Sequence, residues 1–377
     1  MIRRAAMRFL MLSWRDPRNP RSGGAERVTE AYLAALVARG HQACWFANQF
    51  PGGLDEETVS GIRIIRGGGV GSSILEARKW HRAQPRFDLV IDQHHGIPWY
   101  APWWCGTHCV AYVHEFLGPI WDSFYRPPWN HLGRLQERWT HWIYRRVPFW
   151  TPSESTRQDL RRHGVGQITV ISNGLDTCAI AELEPKPIRQ PLRLAVVSRL
   201  APNKRVGHSL RTLAALKERG VETVLQVVGG GEMESLLKAE ASQLGVDRQV
   251  RFLGVLTESD KEAVLRDAHL LLHTSVREGW GLNVIEANAM GTPAVVYPVA
   301  GLVDSTIHDR TGLIAVRESP AALADRIQEF LADEARYERC RRAAWERAKT
   351  LHWSQVLPKA CEWLEARARG EPLPEST

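Results

Sequence analysis

Short apolar runs alternate along the chain with longer stretches whose apolar residues recur every three or four positions. The first pattern predicts buried strands and the second amphipathic helices. MRFLML (7–12) reads as a strand and AERVTEAYLAALVAR (25–39) as a helix stopped by Gly40. QACWFA (42–47), GIRIIR (61–66), FDLVIDQ (87–93) and CVAYVHE (109–115) predict further strands. FWTPSESTRQDLRRHG (149–164) predicts strand, turn and helix, and QITVISNGLD (167–176) a strand with its exit loop. The polar stretch AELEPKPIRQP (181–191) then interrupts with three prolines and reads as a linker.

Beyond it the pattern restarts. LRLAVVSRL (192–200), TVLQVVGGG (223–231), QVRFLG (249–254), HLLLHTS (269–275) and AVVYPV (294–299) predict strands separated by helices such as HSLRTLAALKERG (208–220). Strand–helix alternation of this kind implies parallel, doubly wound sheets with ligands at the carboxyl ends of the strands. The expected division is a first domain over 1–180, the linker over 181–191 and a second domain over 192–354. A C-terminal helix in 355–377 is expected to cross back to the first domain and end in a frayed tail.

Composition narrows the class. A chain of 377 residues with 44% hydrophobic and 24% charged residues is long enough for two globular cores. The six cysteines are scattered without disulfide-scaffold density, as in a reducing compartment, so a cytoplasmic protein is expected. FLMLS near the N-terminus reads as a buried strand, since WRDPRNPRSGG follows it with no small-residue cleavage site. Charge is uneven. Residues 1–176 carry 22 Lys and Arg against 15 Asp and Glu, which accounts for all of the formal +7, and 11 of the 15 tryptophans.

The segment REGWGLNVIEANAMGTP (277–293) carries the candidate chemistry. Glu278 falls on the loop after the HLLLHTS strand and Glu286 on the helix that follows. Gly279, Trp280, Gly281 and Leu282 lie between them, where glycines let backbone N–H groups approach an anion at a helix N-terminus. A carboxylate in the helix suits the two hydroxyls of a ribose, and one on the loop suits a sugar. Arg199 and Lys204, five positions apart after a strand end, offer a guanidinium fork and a point charge to one pyrophosphate. In a basic protein the same pair also reads as two solvated cations. Gly23 and Gly24 open the first helix, as a tight turn or a second anion-facing N-terminus.

These pieces, in this order, resemble the retaining glycosyltransferases of family 4. SGGAERVTEAYLAALVARGH (22–41), SRLAPNKRVGHSL (198–210), VVGGGEMESLL (227–237), VRFLGVL (250–256), the two-glutamate segment and GLVDSTIHDRTGLIA (301–315) carry the resemblance essentially end to end. It implies a GT-B fold, two Rossmann-like domains facing each other across a cleft. It implies a nucleoside diphosphate sugar, UDP- or GDP-linked, as donor, with no cofactor and no metal. It places His114 and Glu278 at the catalytic site. Gly23, Gly24, Arg199, Lys204, Gly279, Trp280, Gly281, Leu282 and Glu286 fall on the donor, and Gly229, Gly254 and Val255 on the nucleobase side. The acceptor it implies is a lipid-linked molecule or a glycan of the cell envelope; a small natural-product acceptor is the alternative. Ser172 and Asp304 depart from the family's usual proline and glutamate.

Other classes fit less well. WWCGTHC (103–109) lacks the paired spacing of a zinc site, and GGGEM (229–233) lacks the third glycine of a dinucleotide fingerprint. No GxxxxGK[ST] occurs. The basic, Trp-rich first half raises a non-catalytic alternative, a membrane-surface or nucleic-acid binder. No nucleic-acid module is recognisable, and nucleic acid is not an expected partner. Residues 129–150 set Arg134, Arg138 and Arg145 near one helix face and Trp139, Trp142 and Arg146 near another, which predicts peripheral contact with an anionic membrane, at its inner face for a cytoplasmic enzyme.

Overall fold

The computed structural model describes residues 5–69 and 71–372, which divide into two compact units. Unit 1 holds the described chain up to Phe116, then His131–Gly174, and the chain from Trp353 onward. Unit 2 holds Leu117–Asn130 and Leu175–His352.

The eight strands of unit 1 are β1 (Arg8–Leu12), β2 (Gln42–Ala47), β3 (Glu56–Val59), β4 (Ile62–Arg66), β5 (Leu89–His94), β6 (His108–Val113), β7 (Phe149–Thr151) and β8 (Ile168–Val170). They form one sheet in the order β3-β4-β2-β1-β5-β6-β7-β8. Every pairing is parallel except β3 with β4. Central β1 is fully buried from Phe9 to Leu12, which is why it is continuously apolar in sequence. The hairpin strand β3 is the one that periodicity missed. Its sequence EETV is polar because it lies on an edge, and Ser60 and Gly61 turn it into β4 with φ of 53° and 77°.

Unit 2 contains β9 (Leu192–Val197), β10 (Thr223–Val228), β11 (Val250–Gly254), β12 (Leu270–His273), β13 (Ala294–Val296) and β14 (Gly312–Ile314). The sheet is wholly parallel, ordered β11-β10-β9-β12-β13-β14. Helices Val206–Glu218, Leu282–Ala289 and Pro320–Ala332 contribute buried apolar residues to one core with these strands. The expected linker 181–191 belongs to unit 2 rather than standing free. Half-buried Lys186 donates to the carbonyl of Ala268 and the hydroxyl of Thr292, both at 2.8 Å, and so fastens the segment to that unit. Helix Trp353–Ala368 belongs to unit 1, where Glu365 receives Arg39 at 2.5 Å from helix Gly24–Ala38.

Candidate functional site

Strand order in unit 2 reverses between β9 and β12, and at such a reversal the two outgoing loops diverge to leave a crevice at the carboxyl ends. Both loops carry the residues singled out in the sequence. After β9, the turn Pro202–Lys204 is followed by Arg205 in the left-handed region at φ 47°. Arg205 donates to the carbonyls of Thr274 and Ser275 at 2.8 and 2.7 Å, tying the turn to the loop after β12. That tie brings Lys204 Nζ to 2.5 Å from Glu278 Oε1.

Glu278 also lies 3.6 Å from His273 Nε2 at the end of β12. Burial alone would raise its pKa, but Lys204 and then His273 more than offset this and hold the carboxyl below its usual value, so it is ionised. His273 is itself pushed down to about 4, chiefly by burial, and is neutral at pH 7. The Glu278 backbone is fixed from the other side. Its N–H donates to the Ala300 carbonyl at 3.1 Å, and Gly301, at φ 79°, passes so close that a Cβ there would sit 2.1 Å from the Glu278 carbonyl oxygen. Asp304 accepts from the Gly301 N–H at 3.2 Å, so the departure from the family's glutamate still caps that turn.

Gly281, at φ 84°, starts helix Leu282–Ala289. Asn283 in its first turn donates to the Val197 carbonyl at 2.6 Å, which holds the helix N-terminus at the end of β9. Gly279 is half-buried, and the Trp280 side chain is turned into unit 2 with the Arg347 guanidinium 5.8 Å over its ring. Trp280 therefore offers a ligand its backbone, not its indole. One turn into the helix, Glu286 meets Lys261 at 3.1 Å, and Lys261 also meets Glu258 at 2.7 Å. Burial would lower the Lys261 pKa, but Glu286 and Glu258 raise it above the ordinary value. Arg199 is exposed and has no side-chain partner among the described residues.

The nucleobase-side positions adjoin this group. Gly229 donates to the Gly254 carbonyl at 2.7 Å, and its backbone lies so near Ser198 that a Cβ would come within 1.9 Å of that carbonyl oxygen. Val255 is 84% exposed, apolar and next to this turn, as a flat ring would require.

Unit 1 holds the remaining expected residues. His114 follows β6 and is buried; burial first, then His95, pushes its pKa down to about 3. Its Nε2 lies 2.6 Å from the Gln93 amide nitrogen, so the neutral ring accepts there and carries its proton on Nδ1. Gly23 and Gly24 are exposed at the start of helix Gly24–Ala38. The Glu26 carboxylate reaches back to the Gly23 N–H at 2.7 Å and pairs with Arg15 at 2.9 Å, so part of that N-terminus is already satisfied by the chain itself.

Lys261, His273, Asn283 and Gly301 were not singled out from the sequence. His273 had a signal available, since a histidine ending a buried strand is the argument applied to His114. Lys261 had none, lying 25 positions before its partner in an ordinary charged helix. Among the described residues, no group of three or more His, Cys, Asp or Glu side chains is placed to hold a metal ion.

The chain matches two known domain families, "Glycosyltransferase Family 4" over residues 22–178 and "Glycosyl transferases group 1" over 183–347. It is 32% identical to the glycogen synthase of Mycobacterium tuberculosis (strain H37Rv), over 98% of this chain and 97% of that one. It is 30% identical to the D-inositol 3-phosphate glycosyltransferase of Corynebacterium glutamicum (strain R), over 54% and 53% of the two chains. Among solved structures it superposes on sucrose-phosphate synthase from Thermosynechococcus elongatus with TM-score 0.80 at 20% identity, covering 97% and 100%. On the Anabaena protein HepE bound to UDP-glucose the TM-score is 0.73 at 18% identity, covering 96% and 100%. Fold and site thus define a GT-B glycosyltransferase that draws its sugar from a nucleotide. The chain belongs to the family 4 glycosyltransferases.

Proposed function

We propose that the enzyme transfers a hexose from a nucleoside diphosphate sugar to a glycan or glycolipid hydroxyl, keeps the anomeric configuration and needs no metal. The observation that carries this is the ionised Glu278 held by Lys204 beside the N-terminus of helix Leu282–Ala289, with Glu286 one turn further on. With a donor bound, the diphosphate takes Lys204 and Arg199 as counter-charges and the helix N–H groups as hydrogen-bond donors. Glu278 is left to accept from the sugar hydroxyls and Glu286 from the ribose. The C1–O bond to the diphosphate breaks, and the acceptor oxygen bonds to C1 on the same face. The acceptor proton passes to a phosphate oxygen of the leaving diphosphate. Two cations and a helix N-terminus supply the stabilisation of leaving-group charge that a divalent ion supplies elsewhere.

His114, Gly23 and Gly24 are assigned to the sugar and acceptor side within the same proposal. The likeness to a glycogen synthase over nearly the whole chain supports a glycan acceptor and a glucose-type donor. The six free cysteines suit the cytoplasm. No helix among the described residues is long and apolar enough to cross a membrane.

Titration calorimetry with UDP and GDP, with EDTA present throughout, tests the donor half. Binding should survive chelation and weaken about tenfold or more in Arg199→Ala and Lys204→Ala. Unchanged affinity in both variants would remove the assignment. The anomeric proton coupling of the first product tests retention, and an inverted product would refute it.

A further inference from the structure

Helix Trp129–Tyr144 is inside out. From His131 onward its buried residues are Glu137, Thr140, His141 and Tyr144, mostly polar and all on one side. Leu132, Leu135, Trp139 and Trp142 face solvent, each more than half exposed. A helix packed on a domain ordinarily buries its apolar stripe and wets the polar one. Here the wet stripe is aliphatic at one end and aromatic at the other, about 15 Å from first to last.

Trp139 and Trp142 continue into an open recess of about 530 Å³ lined also by Tyr100, Trp103, Trp104 and Ile143, with Arg78 and Arg145 among its walls. Trp103 is itself 56% exposed. The Arg145 guanidinium lies 4.5 Å over the Trp142 ring and donates to the Trp142 carbonyl at 2.7 Å. The charged side chains in the walls of this recess, Arg78 and Arg145, are both cationic. Arg138 on the helix, Arg146 just past its end, and Arg78, Lys79 and Arg82 on helix Ser73–Arg82 are exposed and make no ion pair with any described residue. Helix Ser73–Arg82 and helix Trp129–Tyr144 from His131 onward belong to unit 1.

We propose that this face docks on an anionic membrane. Sugars stack on aromatic rings but gain little from exposed leucines, and a small ligand would leave most of the stripe wet. A lipid surface takes the leucines into its acyl boundary, seats the tryptophans at the headgroup level and gives the unpaired cations acidic headgroups as partners. Attachment by one stripe and a handful of cations is reversible, so the enzyme visits the surface without residing there. The inference does not rest on the reaction proposed above, because docking needs neither donor nor acceptor.

Co-sedimentation of the full chain with vesicles tests it. With phosphatidylcholine–phosphatidylglycerol vesicles at low salt the protein should pellet, and with phosphatidylcholine alone it should stay largely in the supernatant. High salt should weaken the binding. Replacing Arg78, Arg138, Arg145 and Arg146 with Gln should lower partitioning by about fivefold per cation. Combining Leu135→Gln, Trp139→Gln and Trp142→Gln should abolish it, while far-ultraviolet dichroism and thermal unfolding matching the wild type show that the fold is kept. Wild-type protein that remains in the supernatant with the anionic vesicles would overturn the proposal, as would unchanged binding by both variants. Retention on insoluble α-glucan, lost in the tryptophan variant and unaccompanied by vesicle binding, would reassign the face to a polysaccharide.

Discussion

Each carboxylate of the two-glutamate segment is met by a lysine from another part of unit 2, Glu278 by Lys204 and Glu286 by Lys261. The glutamates and Lys204 were legible in the sequence because their loops carry local marks, the glycines of REGWG and the strand end before APNK. Lys261 was not, since what makes it special is a partner 25 positions away. Its ammonium is buried between Glu258 and Glu286, so it fixes both the charge and the direction of the Glu286 side chain. Under the donor placement proposed above, that makes it a positioning residue for the ribose contact. Lys261→Met leaves a poorly solvated carboxylate without its counter-ion, a loss of about 1–3 kcal/mol in such settings. The expected signature is selective. Calorimetry should show the preference for UDP over its 2′,3′-dideoxy analogue collapsing in the variant, with the dideoxy affinity unchanged. If both affinities fell together, Lys261 would be holding the fold and not the ribose contact.

The loops of unit 2 owe their shape to close backbone approaches as much as to side chains. Gly229 against Ser198 and Gly301 against Glu278 bring neighbouring loops to distances at which a Cβ cannot fit. The GGG run closed a predicted strand in the sequence, which does not say which backbone it would touch, because that depends on the pairing of β9 with β10. The same limit explains the missed strand β3, whose polar edge sequence carries no burial pattern, and the proline-rich 181–191 segment, whose lysine finds acceptors on distant loops. Adjacent glycines make the point testable. A Cβ at Gly229 would lie 1.9 Å from a carbonyl oxygen at φ 121°, whereas one at Gly230 would meet only a Val255 methyl at 3.4 Å. Gly229→Ala should cost about 1–3 kcal/mol of stability and weaken nucleotide binding with it. Gly230→Ala should do neither, and equal thermal shifts for the two variants would contradict the crowding argument.

Two units were legible because the strand–helix pattern stops and restarts, and each half repeats the same logic of burial. Titration behaviour was not legible, since a histidine's environment is a property of the packed molecule. His94, His114 and His141 in unit 1 are pushed down to about 3, and His269 and His273 in unit 2 to about 4, burial being the first cause in each. Each is depressed below its unfolded value of about 6.5, so its contribution to stability is present above that pH and is lost as pH falls towards the folded value. One pH unit below 6.5, each histidine costs on the order of 1 kcal/mol, so the three in unit 1 cost more than the two in unit 2. Asp92 in unit 1 opposes this. Burial raises it to about 6 despite its bonds from Tyr144, Trp99 and Ala101, so it adds stability as pH falls from about 6 towards its unfolded value near 4. Asp92 has given its full gain by about pH 4, whereas the three unit 1 histidines go on losing stability down to about 3, and unit 1 should therefore yield first on acidification. Eleven of the 15 tryptophans lie in unit 1, so intrinsic fluorescence reports mainly on that unit. The fluorescence transition should fall at higher pH than the far-ultraviolet dichroism transition of the whole chain. His94, which packs against Tyr144 and Phe149 without a hydrogen bond to either ring nitrogen, can be replaced at little cost to packing. His94→Leu should move the fluorescence midpoint to lower pH and leave the dichroism end point in place; a midpoint that does not move would show that buried histidine does not set the acid limit of unit 1.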